Sequence, residues 1–359
     1  MFETNEKSEI RNPKSQINFG VIGCGWVARD YGVPAIGAAK NARLVAVCDA
    51  KSENLKTVAP SETIRRTTDL DEFLQTKNLD AVYVATPNDS HRFLTEKSAA
   101  AGKHVLCEKP MATDYEDARA MVAACEKSGV QYATAFDQRF HARHLKLKEL
   151  IASGALGAIS LVRIYYACWL PADWCSDNWR IDAKKAGGGA FIDLAPHGID
   201  LAQFLIGAPF ADFACFFQRK IQGYAVDDGA AAIGKFADET LFSLNVAYNC
   251  PDEFPRRRLE IVGSERMAIA ADTMGQTPGG TLILIDKNGA QAEIEIAEAD
   301  DVSPFTRQIE VFAECLLREK PFPFAPAQDL ATMRILADAS EKEKKFLTVP
   351  LRADTDKHG

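Results

Sequence analysis

The chain has 359 residues, more than one ordinary hydrophobic core holds, since single cores stop growing at roughly 250–300 residues. Its composition, 47% hydrophobic and 26% charged, is that of a globular protein and excludes a disordered or fibrous chain. The net charge of −8, from 42 basic and 50 acidic side chains, argues against a nucleic-acid partner, which needs a basic face. Its densest basic run, Arg256-Arg257-Arg258, is short and reads as the solvated start of a strand. No stretch approaches the roughly 18 apolar residues of a membrane span. Residues 1–16 are polar and lack the apolar segment of a secretory signal, so they are expected to form a disordered leader on a cytoplasmic protein. Nine scattered cysteines, with no Cys-x-x-Cys and with Cys48 and Cys107 inside apolar runs, read as reduced thiols and not as a metal site.

In the first half, apolar runs at Ile17–Ile22, Leu44–Cys48, Ala81–Ala85, His104–Cys107 and Gln131–Phe136 lack period-two alternation. Such runs suit strands buried on both faces of a parallel sheet. The clearest intervening helix is Asp114–Lys127, with Ala118, Met121, Val122 and Cys125 at helical spacing and Gly129 just beyond its end. Strand–helix alternation of this kind predicts a doubly wound Rossmann sheet. After about residue 157 the texture changes. Strands are expected at Ala158–Ala167, Ala211–Phe217, Ala230–Phe236, Thr240–Tyr248, Arg258–Val262, Met267–Ala271, Thr281–Ile285 and Ala292–Ile296, several joined by short turns that favour antiparallel pairing. Helices are expected at Ala190–Ile206, near Pro304–Arg318 and at Gln328–Lys345. The expected organisation is a dinucleotide-binding Rossmann domain over 17–137 and an open-faced, mainly antiparallel α+β domain over 138–327 for substrate binding and oligomerisation. A C-terminal helix and tail over 328–359 would pack back near the Rossmann domain.

Gly23-Cys24-Gly25-Trp26-Val27-Ala28 follows the first strand and opens a helix, giving G-x-G-x-x-A. Gly23 permits the tight turn, Gly25 lets the backbone approach a pyrophosphate, and Ala28 lets helix and strand pack closely. Unpaired N–H groups at the helix start would then face the phosphates. Asp49 ends the second strand, about 20 residues on, where a carboxylate binds a ribose 2′-hydroxyl; a helix cap is the plainer role for it. Thr86-Pro87-Asn88, His91 and Glu108-Lys109-Pro110 stand at the ends of the third and fourth runs, where open α/β sheets bind ligands. An ammonium at Lys109 could stabilise a developing alkoxide, or simply pair with Glu108. His91 reads first as a helix-start residue that packs or caps.

Gly187-Gly188-Gly189 precedes the third constellation, in which Asp193 and His197 lie four apart on one helix face and Asp200 three further on. A carboxylate beside an imidazole fixes its tautomer and raises its basicity, which suits a base removing a hydroxyl proton as hydride leaves the same carbon. The alternative is a structural pair at a helix seam. No third ligand at a recognised spacing supports a metal. Trp169, Trp174 and Trp179, three of the four tryptophans, are interleaved with Asp173, Asp177, Asn178 and Arg180. Aromatic faces with polar neighbours suit a polyhydroxylated ligand, and equally a hydrophobic lid or subunit contact.

Together these residues resemble the glucose-fructose oxidoreductase / inositol dehydrogenase / rhizopine catabolism (Gfo/Idh/MocA) family. The matching elements are Gly23–Ala28, Asp49, Thr86-Pro87-Asn88 with His91, Glu108-Lys109-Pro110, Arg139-Phe140, and the glycine triplet through Asp193, His197 and Asp200. Asp137 departs from the asparagine expected in many relatives. The resemblance implies NAD, or NADP, lying between the two domains. Gly23, Gly25, Trp26, Val27, Asp49, Thr86, Pro87, Asn88, His91, Glu108 and Lys109 would hold it. It implies that Lys109 and His197 contact the reacting hydroxyl with Asp193 in support, that Trp179 and Arg180 join them around the substrate, and that the exposed sheet face makes a homodimer or homotetramer. The expected activity is reversible oxidation of a secondary alcohol on a sugar, inositol or related polyol. The alternatives are an NAD-binding sensor or assembly protein without turnover, or an enzyme using tightly held NAD transiently.

Overall fold

The computed structural model describes residues 15–58, 63–175 and 177–346. Of the expected leader only Ser15 and Gln16 fall inside it, and the expected tail beyond residue 346 lies outside the described residues. The first part runs β1 (Ile17–Ile22), α1 (Val33–Ala38), β2 (Ala42–Cys48), α2 (Ser52–Val58), β3 (Arg65–Thr67), α3 (Leu70–Leu74), β4 (Ala81–Val84), α4 (His91–Ala100), β5 (His104–Glu108), α5 (Tyr115–Lys127) and β6 (Tyr132–Ala135). Its strands form one parallel sheet in the order β3-β2-β1-β4-β5-β6. β1, β4 and β6 are buried at every position, which is why their sequences show no alternation. α5 starts where Asp114 accepts a hydrogen bond from the Asp117 backbone N–H at 2.8 Å. β3 and α3, for which the sequence raised no expectation, span three and five residues, too few for a periodic pattern to register. The strand order reverses between β1 and β4, so the crevice for a ligand lies outside their carboxyl ends, at Gly23 and Ala85.

The second part runs α6 (Ala142–Ala152), β7 (Ile159–Ala167), α7 (Ala183–Ala186), α8 (Ala190–Ile206), β8 (Phe210–Gln218), β9 (Gly229–Phe236), β10 (Leu241–Ala247), β11 (Arg257–Gly263), β12 (Arg266–Ala271), β13 (Thr281–Asp286), β14 (Gln291–Glu293), α9 (Pro304–Leu317) and α10 (Pro326–Phe346). Eight strands pair in the order β14-β13-β12-β11-β7-β10-β9-β8, antiparallel except for the β7–β10 pair. The strand expected over Ala292–Ile296 stops at Glu293, because β14 is an exposed edge with one neighbour. α8 lies across the inner face. Gly198 is the residue that allows this, since a side chain there would meet Leu244 at 2.7 Å.

Buried contacts tie the parts together. α9 packs on the first sheet, burying Phe312 and Ile309 against the Phe19 and Ile36 region, so by packing it lies with β1 and α1 and not with the second sheet it follows in the chain. Arg139, just after β6, is buried with its guanidinium bonded to Asp200 of α8 and, at 2.7 Å, to Asp329 of α10. The rings of Phe136 and Phe324 flank it at 4.8 and 4.6 Å. Asp200 thus serves this junction and does not face His197.

Arg139→Met would leave two carboxylates buried without a counter-charge, at a cost of about 3–5 kcal/mol. The expected result is a lower urea midpoint with an unchanged slope. Burial pushes the Asp200 carboxyl up to about 6, with Arg139 opposing, and the substitution removes that opposition. A carboxyl whose folded pKa exceeds its unfolded value stabilises at low pH and loses that contribution as pH rises through the folded value. The deficit of the variant should therefore be largest near neutral pH and shrink as the medium is acidified toward about pH 5.

Candidate active site

Gly23 leaves β1 with φ of +87°, a conformation side chains resist, and a Cβ there would stand 2.5 Å from the Ala85 carbonyl oxygen. At Gly25, by contrast, a Cβ would meet nothing within 4 Å. The turn therefore presents bare backbone to open space, the cradle a pyrophosphate needs. Asp49 is anchored to this turn. Its Oδ2 accepts the Cys24 backbone N–H at 2.7 Å, and its Oδ1 accepts the Lys51 N–H at 2.8 Å and the Asn54 amide at 3.1 Å. The carboxylate remains half-buried at the end of β2, where a ribose would lie. These features fit a dinucleotide.

At the neighbouring strand end, buried Asn88 donates to the Ala186 carbonyl of α7 at 2.8 Å. His91 is fully buried, with Nδ1 3.0 Å from the Pro110 carbonyl and Nε2 2.9 Å from the Thr86 carbonyl. Both ring nitrogens face backbone carbonyls of the two loops, to one of which the neutral ring donates its single N–H. The expectation that His91 touches the cofactor is thereby corrected: it shapes the floor beneath Thr86 and Pro87 and offers no atom of its own.

Glu108 and Lys109 end β5 and point apart. The Tyr83 hydroxyl donates to Glu108, whose carboxyl burial pushes up to about 7 although Tyr83 and Lys109 favour its charge. Lys109 does not pair with Glu108 through its ammonium. Its Nζ reaches across the crevice to α8, donating to Asp193 Oδ1 at 2.7 Å and to the Asp193 carbonyl at 2.9 Å. Asp193 Oδ2 accepts the Tyr248 hydroxyl at 2.6 Å and lies 3.6 Å from the Arg180 guanidinium. Burial opposes the charge of Asp193, but Lys109 and then Arg180 outweigh it and hold the carboxyl well below the usual range.

α8 is placed by a carboxylate from another loop. Asp227 accepts the backbone N–H groups of Gly189 at 2.8 Å and Phe191 at 2.7 Å. A side chain at Gly189 would come within 2.0 Å of the Asp227 carbonyl oxygen, so the close approach requires glycine. His197, one turn beyond Asp193, is buried, and the edge of Tyr166 meets its ring at 5.5 Å. Its expected partner was Asp193, on the i, i+4 spacing. The structure corrects this: both Asp193 oxygens face Lys109, Tyr248 and Arg180, and the carboxylate nearest His197 Nδ1 is Asp137, at 3.4 Å. Burial, then Lys109, lowers the imidazole pKa below its ordinary value, while Asp137 and Asp193 oppose.

The aromatic loop closes the other side. The Arg180 guanidinium stands 4.6, 5.5 and 5.7 Å from the rings of Trp179, Trp174 and Trp26, and Trp174 meets Trp26 edge-on at 5.7 Å. Lys51, beyond Asp49, pairs with Asp177 of this loop at 2.9 Å. Lys109, Asp193, His197, Arg180 and Trp179 are thus gathered beside the glycine turn. Tyr248, Asp227 and Asp137 were not among the expected site residues. Asp137 alone carried a signal, since it lies two residues beyond the end of β6, at the carboxyl edge of the sheet. Among the described residues no group of three His, Cys, Asp or Glu side chains is arranged to hold a metal. Nor is any helix there long and apolar enough to cross a membrane.

Two family models match this chain. Residues 17–136 match the model described as an oxidoreductase family with an NAD-binding Rossmann fold, and residues 144–269 match the GFO/IDH/MocA C-terminal domain. The 1,5-anhydro-D-fructose reductase of Ensifer adhaerens is 31% identical over 273 residues, 76% of this chain and 80% of that protein. The myo-inositol 2-dehydrogenase of Thermotoga maritima is 27% identical over 278 residues, 76% of this chain and 79% of the relative. Among solved structures, the aldose-aldose oxidoreductase of Caulobacter crescentus, complexed with glycerol, superposes with a TM-score of 0.82 at 24% identity, covering 92% of this chain and 98% of that one.

Tyr248→Phe should lower kcat/KM about tenfold, the loss of a hydrogen bond to a charged group worth about 1.5 kcal/mol. Gly189→Ala should lower it further by displacing the start of α8. Steady-state rates for both variants, with circular dichroism confirming the fold, check the order.

Proposed function

This chain belongs to the GFO/IDH/MocA oxidoreductases, and from that premise we propose that it interconverts a secondary alcohol and its ketone on a sugar, inositol or related polyol in the cytoplasm. The observation that carries the reading is the Lys109–Asp193 pair, with His197 on the next turn of the same helix, beside a glycine cradle that fits a dinucleotide. When bound, NAD(P) supplies the hydride acceptor for oxidation and the hydride donor for reduction. Lys109, held in the crevice by Asp193, orients the substrate oxygen and stabilises the charge that develops there. His197, neutral at physiological pH because burial and Lys109 depress its pKa, takes the hydroxyl proton in oxidation and returns it in reduction. Trp179 and Arg180 form the wall against which a ring of C–H and hydroxyl groups can lie. Asp49 favours NAD, because its carboxylate repels a 2′-phosphate and the neighbouring Lys51 is engaged by Asp177.

The outer face of the second sheet exposes Phe216, Ile233 and Leu241, at 76, 64 and 52% of their surface. An apolar patch on paired strands of this kind calls for cover, and a second copy of the chain supplies it. The expected oligomer is a dimer or tetramer.

Screening aldoses and inositols with both nucleotides at 340 nm should give turnover with a higher kcat/KM for NAD than for NADP. His197→Ala should lower kcat by roughly 10²–10⁴-fold while NAD affinity stays near wild type. Oxidation should rise with pH through the transition of His197 and reduction should fall through it. Sedimentation at micromolar concentration should show an oligomer that Ile233→Asp dissociates; a wild-type monomer would refute the interface.

A further inference from the structure

We propose that Asp137 is the positioning residue for His197: its carboxylate, and not that of Asp193, holds the imidazole with Nδ1–H toward the acid and bare Nε2 toward the reacting oxygen. The inference rests on the reading of His197 as the proton acceptor. Three carboxylates lie near this imidazole in sequence or space, and the structure divides them. Asp193 is held by Lys109, Tyr248 and Arg180. Asp200 is held by Arg139. Asp137 aims Oδ1 at His197 Nδ1 from 3.4 Å, about half an ångström longer than an ordinary N–H···O bond.

Nδ1 is buried and forms no hydrogen bond as the side chains stand, and Asp137 Oδ1, 3.4 Å away, is the carboxylate oxygen placed to take its proton. Asp137 is itself 2% exposed and fixed from behind. Its Oδ2 accepts the Gln138 amide at 2.8 Å, and that amide also donates to the Gly275 carbonyl at 2.9 Å. The charged and titratable groups facing the imidazole are Lys109 from the end of β5, Asp193 from its own helix, Asp137 from the turn after β6, and the Tyr166 ring from β7. Without Asp137 the ring would be buried in the field of Lys109, with Asp193 already balancing that lysine. A negative charge against Nδ1 restores its affinity for a proton and selects the tautomer whose free nitrogen is Nε2.

The test uses the whole protein labelled with ¹⁵N-histidine, the resonance of His197 being assigned by its loss in His197→Asn. The expected wild-type result is a neutral ring protonated at Nδ1. In Asp137→Asn its transition should move down by about one pH unit or more, as follows from loss of an opposite charge at this distance. The acid limb of kcat/KM for oxidation should move down with it, and Asp137→Glu should return both toward wild type. A wild-type ring protonated at Nε2, or a transition unmoved in Asp137→Asn, overturns the inference. The acid limb separates the two ideas. If His197→Asn leaves that limb in place, His197 is not the base and both readings fall. If His197→Asn abolishes it while Asp137→Asn leaves it where the wild type has it, only the role of Asp137 falls.

Discussion

Lys109 and Asp193 come from opposite sides of the crevice, one from the end of a parallel strand and the other from a helix laid on an antiparallel sheet, and they meet at 2.7 Å. Both are largely withdrawn from water, with 13 and 19% of their side chains exposed. Burying two charges is costly unless each finds partners beyond the other. Here the carboxylate has Tyr248 and Arg180, and the ammonium has the Asp193 carbonyl. Much of the second sheet can be understood as placing that carboxylate. Asp227 binds the first N–H groups of α8, Gly189 allows the close approach, and Gly198 lets the helix sink onto Leu244.

A second buried ionic junction, Arg139 with Asp200 and Asp329, lies behind the first. It joins the end of the Rossmann sheet to α8 and α10. The two junctions divide the work. Arg139 fixes where α8 sits relative to β6, and Lys109 exploits that placement at the surface of the crevice. Asp137 and Arg139 are two residues apart on one short helical turn (Asp137–Phe140), so the arginine that locks the interface also sets the carboxylate beside His197.

Much of this was legible in the sequence. Continuous apolar runs, the glycine turn, a lysine directly after a buried strand and an Asp–His pair on one helix all report local properties, and the chain forms them locally. Which groups pair with which was not legible. Spacing of four placed Asp193 beside His197, yet the lysine that captures it lies 84 residues away and the tyrosine 55. Tertiary charge outweighed helical proximity. His91 stood where cofactor contacts are expected, but full burial turned both its nitrogens inward. α9 follows the second sheet in the chain and packs on the first, because its apolar face matches Phe19 and not its sequence neighbours. Tyr248 and Asp227 carry no local pattern at all; their roles exist only once β10 and the loop after β8 have been brought to α8.

The central claim is that Lys109 and Asp193 act as one unit. A double-mutant cycle on kcat/KM with Lys109→Ala, Asp193→Asn and the combined variant measures this directly. The account predicts strong coupling: once Lys109 is gone, Asp193→Asn adds little further loss, because the carboxylate has lost the group it orients. Losses that simply multiply, as for two residues acting independently, would contradict it.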